Sequence, residues 1–235
     1  MCEFQRSFKA NEMNEWTKTD RCLGVWSAAC AAAIVLVYIF VGVIGVIARP
    51  ASSDPLGQVD PYLAVLEILM ILFAVMLVAM MAALQAYAPS DRKTFSLIAF
   101  VFVMCFAVLT CSVHFVSLTV GRRIEAAGLP LLSQQLSFSE WPTVAMSLDL
   151  LAWDFFLGLA LLFAARVFTA EAARRVRISM NVAAALCLAG TFGPASGHMQ
   201  LQYLGIAGYA FVLPVACALV AICFASEHSV NEPPS

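Results

Sequence analysis

The stretch Cys22–Ala48, CLGVWSAACAAAIVLVYIFVGVIGVIA, carries no charged side chain and outruns the roughly 20 residues that a helix needs to cross a bilayer. Two further stretches behave alike: Thr94–Gly121 holds only His114, and Ile178–Ser226 holds only His198. Lipid tolerates a backbone only when the segment closes its own hydrogen bonds, so these stretches are read as spanning helices. Working outward, six spans are expected near 22–48, 62–88, 94–120, 142–165, 178–195 and 203–225. The fold class is all-α, a polytopic integral membrane protein built as a six-helix transmembrane bundle with short loops.

Composition agrees. The chain has 235 residues, 62% hydrophobic and 12% charged, which leaves room for six spans and no separate soluble domain. The expected organisation is a cytoplasmic tail over 1–21, a membrane domain over 22–225 and a cytoplasmic tail over 226–235. In the first tail Phe4, Phe8, Met13 and Trp16 fall at roughly helical spacing, compatible with an interfacial amphipathic helix or with disorder. A polar stretch precedes the first apolar run, and that run is too long for a signal-peptide core, so it is read as a retained span.

Lysine and arginine set the expected orientation. Arg6, Lys9, Lys18, Arg21, Arg92, Lys93, Arg166, Arg174, Arg175 and Arg177 fall on one side, against Arg49, Arg122 and Arg123 on the other. Both termini are therefore expected in the cytoplasm, with the chain in the plasma or inner membrane. Membrane lipid is the expected surrounding partner. Net charge is −2 and no basic tract occurs, which argues against nucleic acid. The eight cysteines include no CxxC pair, so neither a disulfide framework nor a zinc site is indicated.

Helix punctuation adds detail. Asp60-Pro61 reads as an N-cap with proline in the first turn, and Trp141-Pro142 as the opening of the fourth span. Pro194 and Pro214 are expected to bend their helices. The connection from Arg122 to Glu140, with Leu129, Leu131, Leu132 and Phe138, is apolar enough to dip into the interface as a lid or as slack chain. Ala185, Ala189, Gly193 and Gly197 recur every four residues, a stripe that lets another helix approach closely. Packing within the chain is the favoured use of that stripe, and an oligomer through Ala189, Gly193 and Gly197 the lesser one.

Ionisable groups inside spans carry the functional signal, since each costs about 2.5–3.5 kcal/mol near the bilayer centre. Glu67, His114 and Asp149 fall on successive spans at a shared depth of roughly 10 Å from the outer side, while Asp154 lies roughly 18 Å in. Thr110, His114 and Ser117 are spaced to share one face of the third span, and Trp153 shares a face with Asp149. Asp149 and Asp154 stand about 140° apart around the fourth helix and must point to different neighbours. The candidate ligand-binding or proton-handling residues are thus Glu67, Thr110, His114, Ser117, Asp149, Trp153 and Asp154. His198, Gln200 and Gln202 fall in an outer turn and are expected at the surface.

The reading that follows is a pocket in the outer half among spans two to four, binding or transporting a small polar or amphipathic molecule with proton coupling. A non-catalytic scaffold or accessory subunit is the alternative. A metal-dependent membrane hydrolase comes third, because one histidine with carboxylates and no HExxH element is a poor zinc set. An enzyme is the less favoured class, and no catalytic residue is assigned. No metal or cofactor is expected: haem would need a second embedded histidine, and retinal a buried lysine.

Overall fold

Residues 16–48, 61–136, 138 and 141–226 are described by the computed structural model. Over these residues the chain is all-α, without strands. Six helices are long and apolar enough to cross a membrane: α1 (Lys18–Ala48), α2 (Tyr62–Tyr87), α3 (Ser90–Ile124), α4 (Val144–Val167), α5 (Glu171–Ser196) and α6 (Met199–Ser226). The protein is a multi-pass membrane protein. Its outward face fits that medium, with Phe40, Phe115, Phe211 and Ile222 each more than half exposed. Such side chains need no partner in hydrocarbon.

The helix ends follow local chemistry. Thr17 and Asp20 form a capping box ahead of α1: Asp20 N donates to Thr17 Oγ1 at 3.1 Å, and Thr17 N to Asp20 Oδ2 at 3.2 Å. Thr143, rather than Pro142, caps α4, its hydroxyl accepting from Met146 N at 3.1 Å. Lys93 Nζ donates to Gln85 O at 2.6 Å, closing a carbonyl that the end of α2 leaves free. Asp60 and the tail positions Phe4, Phe8 and Met13 lie outside the described residues.

Four spans begin ahead of their expected apolar stretches: α1 at Lys18, α3 at Ser90, α5 at Glu171 and α6 at Met199. In α5 the extra turns carry Arg174, Arg175 and Arg177, and Arg177 Nη1 donates to Phe168 O at 3.0 Å. Charged helical turns can project beyond the hydrocarbon, so hydropathy alone places the end too late.

Each helix packs against its sequence neighbours, and α6 closes back on α1. Two aromatic layers fill the ring. At mid-height Trp153 stacks on Phe73 with centroids 5.4 Å apart and meets Phe106 edge-on at 5.0 Å. Towards the end that bears the termini, Trp16, Tyr87, Phe168 and Phe224 form a second cluster. That layer seals one end of the bundle with large apolar surfaces.

α5 and α6 approach each other closely. A Cβ added at Gly190 would lie 2.7 Å from Gly205 Cα, so the two backbones touch where both residues lack side chains. Gly193 abuts Gln202 in the same seam. The small-residue stripe is therefore offset from the expectation: Gly193 is spent within the chain, whereas Ala185 and Gly197 are exposed and Gly197 takes a left-handed turn at φ 75°. In α6 a π-type turn over Ala207–Val212 immediately precedes Pro214, which has no amide hydrogen to continue the regular ladder.

Candidate functional site

Glu67 on α2 and His114 on α3 meet directly, with the carboxylate oxygen Oε2 against Nδ1 of the ring. Ser117, one turn beyond His114, donates its hydroxyl to Glu67 Oε1 at 2.7 Å. The other ring nitrogen, Nε2, faces Asp149 Oδ1 on α4 at 3.5 Å, within ion-pair range but outside hydrogen-bond geometry. Trp153, one turn along α4, donates Nε1–H to the same Asp149 oxygen at 3.0 Å. Three consecutive helices thus supply a buried line of carboxylate, imidazole and carboxylate.

The cost of burial explains the pairing. Glu67 is 2% exposed and His114 6%. An ionised group in such a place survives only when charge-assisted hydrogen bonds replace water. A doubly protonated imidazole would donate to Glu67 and set its second N–H within ion-pair range of Asp149. The cluster holds two carboxylates against a single basic group.

A ring from the connection between α3 and α4 packs on the imidazole of the cluster. Phe138 stacks on His114 with centroids 5.2 Å apart and planes 21° from parallel. Of this connection, expected to dip into the interface, Phe138 packs inward on the imidazole.

A cavity of about 270 Å³ adjoins the line, with His114, Asp149 and Trp153 in its wall. Tyr38 of α1 and Tyr209 of α6 complete its aromatic lining, and Met70 of α2 contributes thioether surface. The expectation of a pocket among spans two to four is therefore corrected: α1 and α6 form a large part of the wall, because the ring closes α6 onto α1. Neither tyrosine was among the sequence candidates. The only available signal was a phenol well inside an apolar span, which aromatic packing alone can explain.

Two candidates stand apart from the cluster. Thr110 shares the His114 face of α3 and is fully buried, but its hydroxyl bonds to none of the described residues. A common face fixes direction, not height, and Glu67 reaches towards Ser117 instead. Asp154 is also fully buried and points away, into the α5–α6 seam, where a Cβ at Gly190 would come within 2.9 Å of its Oδ1. Gln202 is the polar residue nearest to it, yet neither its amide atoms nor the carboxylate oxygens meet hydrogen-bond geometry. Gln202 is only 4% exposed, which corrects its expected place at the surface; His198 and Gln200 are exposed.

Among the described residues no three His, Cys, Asp or Glu side chains are arranged to hold a metal ion. His114 directs both ring nitrogens at carboxylates, which leaves it no lone pair aimed at a common centre. The described cysteines are free thiols dispersed over the helices. No protein-family model, curated protein or solved structure matches this chain.

Proposed function

We propose that this protein binds a small polar or amphipathic molecule in the cavity beside His114 and Asp149, and that binding is coupled to proton exchange in the Glu67–His114–Asp149 line. The observation that carries the reading is the cavity itself, whose wall includes two ionisable members of a buried, hydrogen-bonded cluster. Intramembrane ionisable residues facing a cavity mark substrate or proton pathways far more often than they mark packing. In a transporter the same site would be the outward-half station, with the Trp16–Tyr87–Phe168–Phe224 layer as the barrier on the opposite side.

Orientation belongs to the same proposal. The ten-to-three distribution of lysine and arginine supports cytoplasmic termini, and with them a cavity in the outer half of a plasma or inner membrane. The membrane domain then spans Lys18 to Ser226 as one unit.

The test uses purified protein in lipid nanodiscs, screened with small amphipathic compounds for thermal stabilisation. A stabilising compound should act in a pH-dependent way, and its effect should disappear in Asp149→Asn and in His114→Ala. Unchanged stabilisation in both variants overturns the proposal. One observation favours the alternative of a scaffold: the Glu67–His114 and Ser117–Glu67 contacts tie α2 to α3 and would serve helix register alone. Leucine or methionine at those positions would then raise stability without a loss of binding.

A further inference from the structure

The walls of the cavity name the charge of its occupant. This step rests on the binding reading above and deepens it. We propose that the ligand is a small organic cation, a protonated amine carrying a short apolar body, held by Asp149 and by the aromatic faces of Tyr38, Trp153 and Tyr209.

The first argument is charge balance. Glu67 and Asp149 are two carboxylates, His114 is the one basic group joined to them, and no lysine or arginine lines the cavity. With both carboxylates ionised, the cluster keeps an excess negative charge even when the imidazole is doubly protonated. An anionic ligand would add a third like charge at short range in a poorly screened setting. A cation removes the imbalance.

The second argument is the free valence of Asp149. Its Oδ1 is committed to Trp153 and His114, whereas Oδ2 accepts no hydrogen bond from any described residue. The side chain is 21% exposed and lines the cavity. An acceptor at the wall of an apolar pocket calls for a donor on the ligand, and an ammonium N–H⁺ supplies one together with the missing charge.

The third argument separates organic from inorganic cations. Calcium or magnesium needs six or more oxygen ligands, and this cavity offers aromatic and aliphatic surface around one free carboxylate oxygen. Aromatic faces attract a desolvated ammonium through their negative quadrupoles. Trp153 reaches the cavity wall and is held in place by Phe73 stacked on one face, by Phe106 at 87° to its plane and by Tyr209 at 5.0 Å. The volume, about 270 Å³, falls just below the roughly 300–1,000 Å³ of drug-sized sites and selects a compact ligand.

The experiment compares three probes of nearly equal size on the full chain in nanodiscs, with empty nanodiscs subtracted: 2-phenylethylammonium, 2-phenylethanol and 3-phenylpropanoate. At neutral pH calorimetry should show the ammonium binding roughly tenfold tighter than the alcohol, with the carboxylate weakest. Asp149→Asn should erase the preference, bringing ammonium and alcohol to roughly the same affinity. If the alcohol or the carboxylate binds wild-type protein as tightly as the ammonium, the cationic class is overturned and the cavity remains a binding site. If the preference survives Asp149→Asn, the assignment of Asp149 as the partner is overturned. If none of the three binds, the binding reading falls as well. The wild-type comparison needs no variant to fold.

Discussion

Asp149 and Asp154 are five residues apart on one helix and inhabit different chemistry. Asp149 is partly exposed to a cavity, accepts from Trp153 and pairs with a histidine on a neighbouring helix. Asp154 has no exposed surface and, among the described residues, no hydrogen-bond partner, and it is wedged against the glycine backbones of α5 and α6. A turn and a half of helix therefore converts a networked carboxylate into an isolated one. The number of polar groups that neighbouring helices offer decides the role of a buried acid more than its depth does.

The largest effect that can break this contrast lies at His114. Leucine there leaves Glu67 and Asp149 as buried carboxylates without their shared base, and removing one partner of a buried pair costs about 3–5 kcal/mol. Thermal unfolding in detergent should register that loss. Glu67→Met combined with His114→Leu should recover a good part of it, because the strongest unpaired charge goes with its partner. If the single variant is as stable as wild type, the line is not a charge network and its difference from the Asp154 site collapses.

The Asp154 side of the comparison is tested through the seam that encloses it. Gly190→Ala places a methyl group 2.7 Å from Gly205 Cα and 2.9 Å from Asp154 Oδ1. Backbone cannot yield as a flexible side chain does, so α5 and α6 must part. Overpacking of this kind costs about 1–3 kcal/mol. Gly42→Ala is the control, since an added Cβ meets nothing within 4 Å there. Equal unfolding temperatures for the two variants would show that the seam is not tight.

How far all this could be read from the chain depends on what lipid penalises. Charge is excluded from hydrocarbon, so the six spans and the outliers Glu67, His114 and Asp149 stand out in the sequence. The apolar windows fall short of the helices, because the turn carrying Arg174, Arg175 and Arg177 is helical although charged. The tyrosines of the cavity were invisible for the opposite reason: Tyr38 and Tyr209 violate no rule of an apolar span. Thr110 shows the limit of helical periodicity, which gives a bearing around the axis and nothing about which neighbour arrives at that height. Closure of α6 onto α1 is a long-range contact with no local signature, and it is what brought α1 and α6 into the wall of the pocket.

A smaller effect concerns the ring that covers the imidazole. Phe138→Ala removes the ring stacked on His114, a contact worth about 0.5–1.5 kcal/mol beyond simple area. Unfolding temperature should fall modestly, and any ligand that stabilises the protein should associate and dissociate faster if the ring on His114 also hinders access to the cavity. If binding rates stay fixed while stability drops, Phe138 is packing and not a gate.

The smallest expected effect is the sharpest test of the opening contrast. Asp154→Asn preserves shape and exchanges one carboxylate oxygen for an amide donor that can face the Gln202 side chain. No described cation or donor is lost, because the carboxylate had no bonded partner to lose. Replacing an unsatisfied buried acceptor with a neutral group able to pair is close to neutral, within about 0.5 kcal/mol, and tends towards a gain. The same chemical change at Asp149 removes the charge facing His114 and should cost more. Parallel unfolding curves of the two variants read the difference directly. Should Asp154→Asn prove the more damaging of the two, a permanent positive partner must lie against Asp154. The isolated acid would then be the networked one.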